Sequence, residues 1–211
     1  MANTSSQKGH LWKLANAFQE LAGTVKSDNP HIKARQLAQA CLLFQMSNFN
    51  FGFAFIFADI ELISKVNYVQ KAARENESIQ ALVERDIAQG SAKRTTSPSR
   101  NLIRLKRVIE MVGVIFEEIL KNKGSDSLVD PITTAYDQVF SPYHGSTIKE
   151  AFAGVRELIP TRSSVLRLLN ENENSIKEPL EKYAAASKIV AQYIKSVLLK
   201  SQSGAALLRL T

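Results

Sequence analysis

The apolar residues of this chain repeat at intervals of three and four positions over most of its length. One such stripe near the N-terminus consists of Leu11, Leu14, Phe18 and Leu21. These intervals return to the same face of an α-helix, so the repeat is typical of helices with one buried face. Prolines and capping residues interrupt the repeat and mark the helix starts. The pattern predicts helices at about 10–26, 32–46, 48–72, 77–92, 98–122, 129–139, 142–158, 162–170 and 175–200.

One segment carries a different pattern, because phenylalanine occupies every second position from 49 to 57. Strict alternation is typical of a strand. The apolar pattern continues to Val66, however, so the segment is longer than an ordinary strand. The sequence also contains no second strand that could pair with it. We therefore predict a helix here, with rings that either pack in the core or line an apolar cavity. The whole chain is predicted to be all-α, with one domain over residues 10–211 that follows a disordered N-terminus at 1–9.

Two arginines stand at the start of an apolar stripe in the predicted helix 98–122. Successive helix residues advance by about 100°, so Arg100 and Arg104 lie on the same side as Val108, Met111 and Ile115. The stripe is predicted to continue as core. Two interpretations follow: the stripe simply reaches the surface at its N-terminal end, where long arginine side chains extend into water, or the arginines bind an anion beside an apolar surface.

The predicted helix around residue 60 shows a similar feature. Glu61 and Lys65 are four positions apart on a face that also holds Phe57. In isolation they form an ordinary surface pair worth about 0.2–0.5 kcal/mol. If the two helices pack side by side, Lys65, Arg100 and Arg104 converge, and three cations next to apolar surface need an anion. Because arginine forks suit phosphate oxygens and a carboxylate accepts an amide N–H, the pattern predicts a ligand with phosphate, amide and apolar parts.

Composition and charge narrow the partners. The net charge is +7 and the pI is about 9.5, which favours anionic partners. No dense Lys/Arg run, zinc-finger or RNP-like motif is present, so we expect no nucleic acid. The lone Cys41 fits a reducing compartment, and no metal or cofactor is expected. The first residues do not resemble a signal peptide, and the longest apolar run, 51–58, is far short of the ~20 residues that span a bilayer. We expect a cytoplasmic protein, peripheral at membranes.

Catalytic constellations are missing from the sequence. There is no Ser/His/Asp set, no pair of catalytic carboxylates and no metal-ligand cluster, and three scattered histidines do not form one. We therefore expect that the protein is not an enzyme.

Three motifs resemble the glycolipid transfer protein family, in particular its plant accelerated-cell-death branch, which carries ceramide-1-phosphate. They are FADIELISKV at 57–66, SRNLIRLKR at 99–107 and YDQVFSPYHG at 136–145. The resemblance extends from about residue 11 to residue 199. It implies a two-layer helical sandwich that encloses an apolar lipid pocket, with the head group at the surface.

The resemblance also implies roles for individual residues. Lys65, Arg100 and Arg104 match the positions that hold the lipid phosphate. Glu61 matches the acidic position that binds the amide N–H of the lipid, and His144 matches the histidine that binds the amide carbonyl. In branches that carry neutral sugars, the position of Arg104 is a tryptophan that stacks on the sugar, so an arginine implies a phosphorylated head group.

Two positions depart from the family pattern. Glu61 stands where aspartate is usual, and its extra methylene moves the carboxylate. Ser146 stands where a tryptophan usually docks on the membrane, so we expect docking to use Tyr143, Phe152 and nearby lysines instead.

The predicted function is non-enzymatic transfer of a phosphorylated sphingolipid, ceramide-1-phosphate, between membranes. The expected partners are this lipid and a transient membrane surface, with a regulatory protein as a further candidate. Three alternatives remain open: a sensor or adaptor that binds the same lipid without bulk transfer, a carrier of neutral glycolipids, and a helical scaffold with a degenerate pocket.

Overall fold

The computed structural model describes residues 9–45, 53–122 and 124–209, and for residues 53–58 it describes the backbone only. These residues form α-helices joined by short connections, and their only extended pairing is an isolated bridge between Lys33 and Ser78. The helices are α1 (His10–Val25), α2 (Ala34–Leu42), α3 (Phe53–Ala72), α4 (Ile79–Ala88), α5 (Pro98–Lys121), α6 (Val129–Val139), α7 (Ser146–Val155), α8 (Arg162–Leu168), α9 (Glu173–Leu199) and α10 (Gln202–Leu207). None of them is long and apolar enough to cross a membrane.

The long helices α5 and α9 organise the fold. α9 packs against α1 and α5, while α5 also packs against α3 and α6, and α3 packs against α2. The crossing of α5 and α9 is tight, because a Cβ atom added to Gly113 would stand 2.6 Å from the Ser187 Oγ atom. A glycine at this position lets the two helix backbones approach each other.

Aromatic rings fill the centre of the core. Tyr183 of α9 is fully buried, and its ring centroid lies 4.9 Å from that of Phe18, 5.2 Å from that of Phe116 and 6.0 Å from that of Phe44. The Tyr183 hydroxyl donates to the Ile109 carbonyl oxygen at 3.0 Å, so its polar end is satisfied inside the core. This cluster ties α1, the end of α2, α5 and α9 into one packed unit.

The predicted all-helical class is confirmed, and most helix positions agree to within a few residues. The predicted helix 142–158 is wrong in part, because this segment is a 3₁₀ turn at Ser141–Tyr143, then α7, then a second 3₁₀ turn at Arg156–Leu158. Gly145 precedes α7 with no side-chain cap, and Pro142 lies in the first turn. Parts of two other predictions, residues 46–52 and 1–8, lie outside the described residues.

One prediction about α5 needs correction. The fully buried face of this helix includes Leu102, Leu105 and Ile109. The stripe that begins with the two arginines continues through residues that are only partly buried, namely Val108, Met111 and Ile115. The stripe is therefore a half-covered apolar strip along α5, of which Val108 packs against the edge of the core.

Candidate functional site

The start of α5 is shaped by its cap. Ser97 is the N-cap residue, and its hydroxyl accepts a hydrogen bond from the Arg100 backbone N–H at 3.1 Å. Pro98 follows at the first helical position, where the missing N–H costs nothing. The Arg100 side chain turns back to the preceding loop, where Nη1 donates to the Lys93 carbonyl oxygen at 3.2 Å. Both the backbone and the side chain of Arg100 are thus fixed at the beginning of the helix.

Helix α3 packs against α5 and brings an ion pair to this region. Lys65 Nζ donates to Glu61 Oε2, one helical turn away. The Lys65 side chain is 16% exposed, whereas that of Glu61 is 71% exposed. The carboxylate therefore faces water, while the ammonium group is largely enclosed.

The charges of α3 and α5 act on one another. Burial lowers the pKa of Arg104, the neighbouring Arg100 lowers it further, and Glu61 opposes both effects. A lowered pKa means that the cationic form is disfavoured where it stands, although an arginine stays protonated at neutral pH. Lys65, Arg100 and Arg104 lie on the packed helices α3 and α5, where the carboxylate of Glu61 acts on both Lys65 and Arg104. The three positive charges and the negative charge of Glu61 sum to about +2, which matches a phosphate monoester of roughly −1.5 to −2.

His144 lies in the turn between the first 3₁₀ segment and α7. Its Nδ1 atom is 3.1 Å from the Tyr136 hydroxyl, and its ring centroid is 5.5 Å from that of Phe140. Burial lowers the pKa of His144, and the charges of Arg107 and Lys149 lower it further. A neutral imidazole whose Nδ1 atom accepts a hydrogen bond from the Tyr136 hydroxyl carries its own proton on Nε2, which is then a donor.

Arg107 connects this turn to α5. It is only 4% exposed, its guanidinium lies 3.5 Å from the centroid of the Tyr143 ring, and its Nη2 atom donates to the Leu208 carbonyl oxygen at 3.3 Å. Arg107 belongs to the motif at 99–107 but has no role predicted from the sequence. Its position three residues after Arg104 places it on a neighbouring part of the same helix face, and this spacing could have indicated a role near the site.

Pairwise interactions connect four of the five predicted site residues, because Lys65 pairs with Glu61, and both Glu61 and Arg100 act on Arg104. Glu61, Lys65, Arg100 and Arg104 lie at the packed pair α3 and α5, and Arg107 links them to the turn of His144. The phenylalanine side chains at 49–57 lie outside the described residues, so their lining of a pocket stays a prediction. No group of three or more His, Cys, Asp or Glu side chains in the described parts of the chain is arranged to hold a metal.

Helix α7, next to His144, has no buried residue. Its exposed apolar side chains, with the turn that follows, are Ile148 at 50%, Val155 at 42% and Leu158 at 62%. The two rings expected to dock on a membrane make contacts within the protein. The Tyr143 ring packs against the Arg107 guanidinium, and the Phe152 ring stacks on that of Tyr136 with 3.7 Å between the ring centroids. The exposed apolar surface of this region is therefore aliphatic.

The all-helical fold and the charged residues next to an apolar strip fit a class of helical lipid carriers. A comparison with known protein families agrees with this class. The family described as glycolipid transfer protein (GLTP) matches residues 32–171. The chain belongs to the glycolipid transfer protein family, and the fold predicted from the motifs is confirmed.

Individual relatives cover nearly the whole chain. It is 34% identical to Accelerated cell death 11 of Arabidopsis thaliana over 97% of this chain and 98% of the relative. A solved structure of a point mutant of that protein, complexed with C12 ceramide-1-phosphate, aligns with a TM-score of 0.87 and 33% identity, covering 94% of this chain and 98% of the other. Human ceramide-1-phosphate transfer protein shares the fold, with a TM-score of 0.78 at 16% identity over 97% of this chain and 100% of the other.

The state of His144 can be tested through stability. Because the folded state lowers its pKa, the unfolded chain takes up the proton first as the pH falls below the ordinary value of 6.5. Above that pH the imidazole is neutral in both states and adds no pH dependence, whereas below it proton uptake by the unfolded chain lowers the stability. The free energy of unfolding of the His144→Gln protein should fall less than that of the unsubstituted protein between about pH 7 and pH 5.

Denaturant unfolding at the two pH values measures this difference. His10 serves as the matched comparison, because burial also lowers its pKa, and its Nε2 atom lies 2.8 Å from the Leu43 carbonyl oxygen. His10→Gln should remove a separate part of the pH dependence, and the two substitutions should add. An unchanged slope in His144→Gln would contradict a half-buried, neutral imidazole.

Proposed function

We propose that residues 10–211 form one domain that carries ceramide-1-phosphate between membranes without making or breaking a covalent bond. The observation that carries the proposal is the group of cations on α3 and α5, namely Lys65, Arg100 and Arg104. Their total positive charge exceeds the negative charge of Glu61. Partly desolvated cations at short range repel one another unless an anion joins them. Ceramide-1-phosphate is also the lipid bound by the relative Accelerated cell death 11 in its solved complex, which supports the assignment.

The amide of the lipid needs one acceptor and one donor. A buried amide N–H or carbonyl without a partner costs about 1–3 kcal/mol. Glu61 provides a carboxylate acceptor, and Nε2 of His144 provides a donor when Tyr136 donates to Nδ1. The two residues bind the amide from opposite sides in this proposal, although Glu61 must then divide its oxygens between the lipid and Lys65.

The apolar chains account for the need for a carrier. Each methylene that enters water costs about 0.8 kcal/mol, so a long-chain lipid leaves a bilayer very rarely on its own. The half-covered strip of Val108, Met111 and Ile115 runs along α5 from the head-group cations. We place the beginning of the lipid chains along this strip, and their remaining length between the helical layers.

The protein works from the cytoplasm at a membrane surface in this proposal. Ile148, Val155 and Leu158 face outwards, and Lys149 and Arg156 flank them in sequence. Aliphatic side chains next to cations suit an anionic bilayer surface, into which the apolar groups insert while the cations meet lipid phosphates. His144 lies directly before α7, so docking by this face would present the head-group site to the membrane.

The role of Arg104 can be tested by removing its charge. Arg104→Leu should reduce ceramide-1-phosphate transfer between vesicles by about thirtyfold or more, because losing one partner of a desolvated charge pair costs about 2–5 kcal/mol. Arg100→Leu should act in the same direction. Fluorescence transfer between donor and acceptor vesicles measures the effect, and circular dichroism checks that the helices remain.

The matched control is Lys106→Leu. It removes the same charge from the same helix, but residue 106 points about 200° away from residue 104, and Lys106 pairs with Glu110. Transfer by this control should stay close to that of the unsubstituted protein. If Arg104→Leu transfers as well as Lys106→Leu, the phosphate assignment is wrong. Binding without transfer in the unsubstituted protein would instead indicate a sensor that reports the lipid to a protein partner.

Glu61 generates a second prediction. Its carboxylate is bound to Lys65 and repels a phosphate at the same cations. In Glu61→Gln the side-chain oxygen can still accept the lipid amide N–H, so this variant should bind ceramide-1-phosphate more tightly, and the gain should shrink as salt is raised. Equilibrium binding at low and high salt measures both. Glu110→Gln, which breaks the ion pair with Lys106, is the control. If neither Glu61→Gln nor Glu61→Asp changes binding or transfer, Glu61 is a surface residue without a role in the site.

The membrane face can be tested separately. Leu158→Ser should weaken binding to vesicles that contain anionic lipid and slow transfer, with little effect on folding because Leu158 is 62% exposed. Leu199→Ser is the control, since Leu199 is 52% exposed at the end of α9. Vesicle flotation measures membrane binding. Equal losses in the two variants would mean that α7 is not the docking face.

A further inference from the structure

A buried carboxylate lies close to the head-group site without belonging to it. Asp86, near the end of α4, is 2% exposed. Its Oδ2 atom accepts hydrogen bonds from the Ser97 hydroxyl at 2.6 Å and the Ser99 backbone N–H at 3.2 Å. Its Oδ1 atom accepts from the Ser91 hydroxyl. One carboxylate therefore joins the end of α4, the loop after it and the first turn of α5.

The donors keep this carboxylate charged although it is buried. Burial raises the pKa of Asp86, but the hydrogen bonds from Ser91, Ser97 and Ser99 outweigh burial and leave the pKa below its ordinary value. A buried charge bound by several oriented donors resists rearrangement, because any movement leaves the charge or a donor unsatisfied. The loop between α4 and α5 is thus fixed by a strong local constraint.

The same contacts lead to Arg100. The Ser97 hydroxyl that donates to Asp86 also accepts the Arg100 backbone N–H at 3.1 Å. The Arg100 guanidinium donates to the carbonyl oxygen of Lys93, a residue inside the fixed loop. The loop itself folds into two successive turns, closed by hydrogen bonds from the Arg94 N–H to the Ser91 carbonyl and from the Ser97 N–H to the Arg94 carbonyl. Both ends of Arg100 therefore depend on the segment that Asp86 holds.

We propose that Asp86 is a positioning residue of the head-group site, which acts through Ser97 and the loop at 91–97 to hold Arg100 where the lipid phosphate binds. This inference rests on the proposed function, because it requires that Arg100 contacts a phosphate. Asp86 itself does not touch the lipid. Its contribution is preorganisation: an arginine already held in its binding geometry loses less freedom when the phosphate arrives.

A simple anchor of the loop and a positioning residue differ in what they change. An anchor affects stability and all lipid binding alike, whereas a positioning residue affects the preference for phosphate. The experiment therefore measures binding of short-chain ceramide-1-phosphate and of the matching ceramide by calorimetry, together with thermal unfolding. In Asp86→Asn, the affinity ratio of the phosphorylated to the bare lipid should fall by about tenfold, the weight of one hydrogen bond to a charged group.

The matched control is Asp126→Asn. Asp126 also fixes a loop to the start of a helix, because it accepts the Ser163 backbone N–H at 2.7 Å and the Ser163 hydroxyl at 2.9 Å at the beginning of α8. This substitution should lower the melting temperature and leave the affinity ratio unchanged. Ser97→Ala, which interrupts the connection between Asp86 and Arg100, should lower the ratio as Asp86→Asn does. The two changes combined should lower it by less than their product, because they act through one connection.

The unsubstituted protein tests the proposed function, and the variants test the positioning role of Asp86. If the unsubstituted protein does not prefer the phosphorylated lipid, the proposed function fails, whatever the variants do. If it does prefer that lipid, and Asp86→Asn lowers both affinities equally, Asp86 is an anchor and the positioning role is overturned. Should Asp86→Asn fail to fold, Ser97→Ala decides alone: an unchanged ratio overturns the role, and a lowered ratio supports it.

Discussion

Repulsion between like charges that are partly withdrawn from water is the constraint on which this site depends. Arg100 and Arg104 follow each other on one side of α5, and Lys65 of α3 adds a third cation with a largely enclosed ammonium group. Only one carboxylate, that of Glu61, acts on Arg104 from the facing helix, and it stands mostly in water. A cluster of this kind stays unbalanced until an anion binds. In the proposed function, this imbalance is what favours a doubly charged head group.

The rest of the fold holds this imbalance in place. The ring cluster around Tyr183 and the tight crossing at Gly113 fix α5 against α9, so α5 cannot turn its arginines away into water. At its N-terminal end the cap of Ser97 sets the first turn. Arg107 stacks on Tyr143 and so fixes the distance between α5 and the His144 turn. Apolar packing of α5 against α9 thus holds the charged residues of α5 in place.

Much of the fold could be predicted from the sequence because local signals agree with tertiary packing. Helices with a cap and a proline, such as α5, were found with nearly correct ends. The predictions failed where tertiary contacts decide. α10 was not predicted, because it is short and contains Gly204, yet a Cβ atom there would stand 2.2 Å from the Leu198 carbonyl oxygen, so glycine is what allows α10 to pack on the end of α9. The strip from Val108 to Ile115 was predicted as core, since periodicity identifies a face but not what covers it.

The candidate site could be predicted only in part for the same reason. The spacing of Glu61 with Lys65 and of Arg100 with Arg104 indicated two charged faces, but their convergence depends on the packing of α3 against α5. His144 was found through the family resemblance alone. Asp86 gave no signal in the sequence, because its partners Ser91 and Ser97 are common loop residues until the fold brings them together. Buried polar contacts across a loop are long-range facts of packing.

We propose that the cations Lys65, Arg100 and Arg104, whose charge Glu61 only partly balances, select a phosphorylated sphingolipid for transfer. The most direct measurement compares the rates at which the unsubstituted protein transfers ceramide-1-phosphate, galactosylceramide and bare ceramide, with matched acyl chains, between the same vesicles. We expect the fastest transfer for ceramide-1-phosphate, with an advantage that requires both Arg100 and Arg104. Transfer of galactosylceramide or ceramide at an equal or higher rate would contradict it.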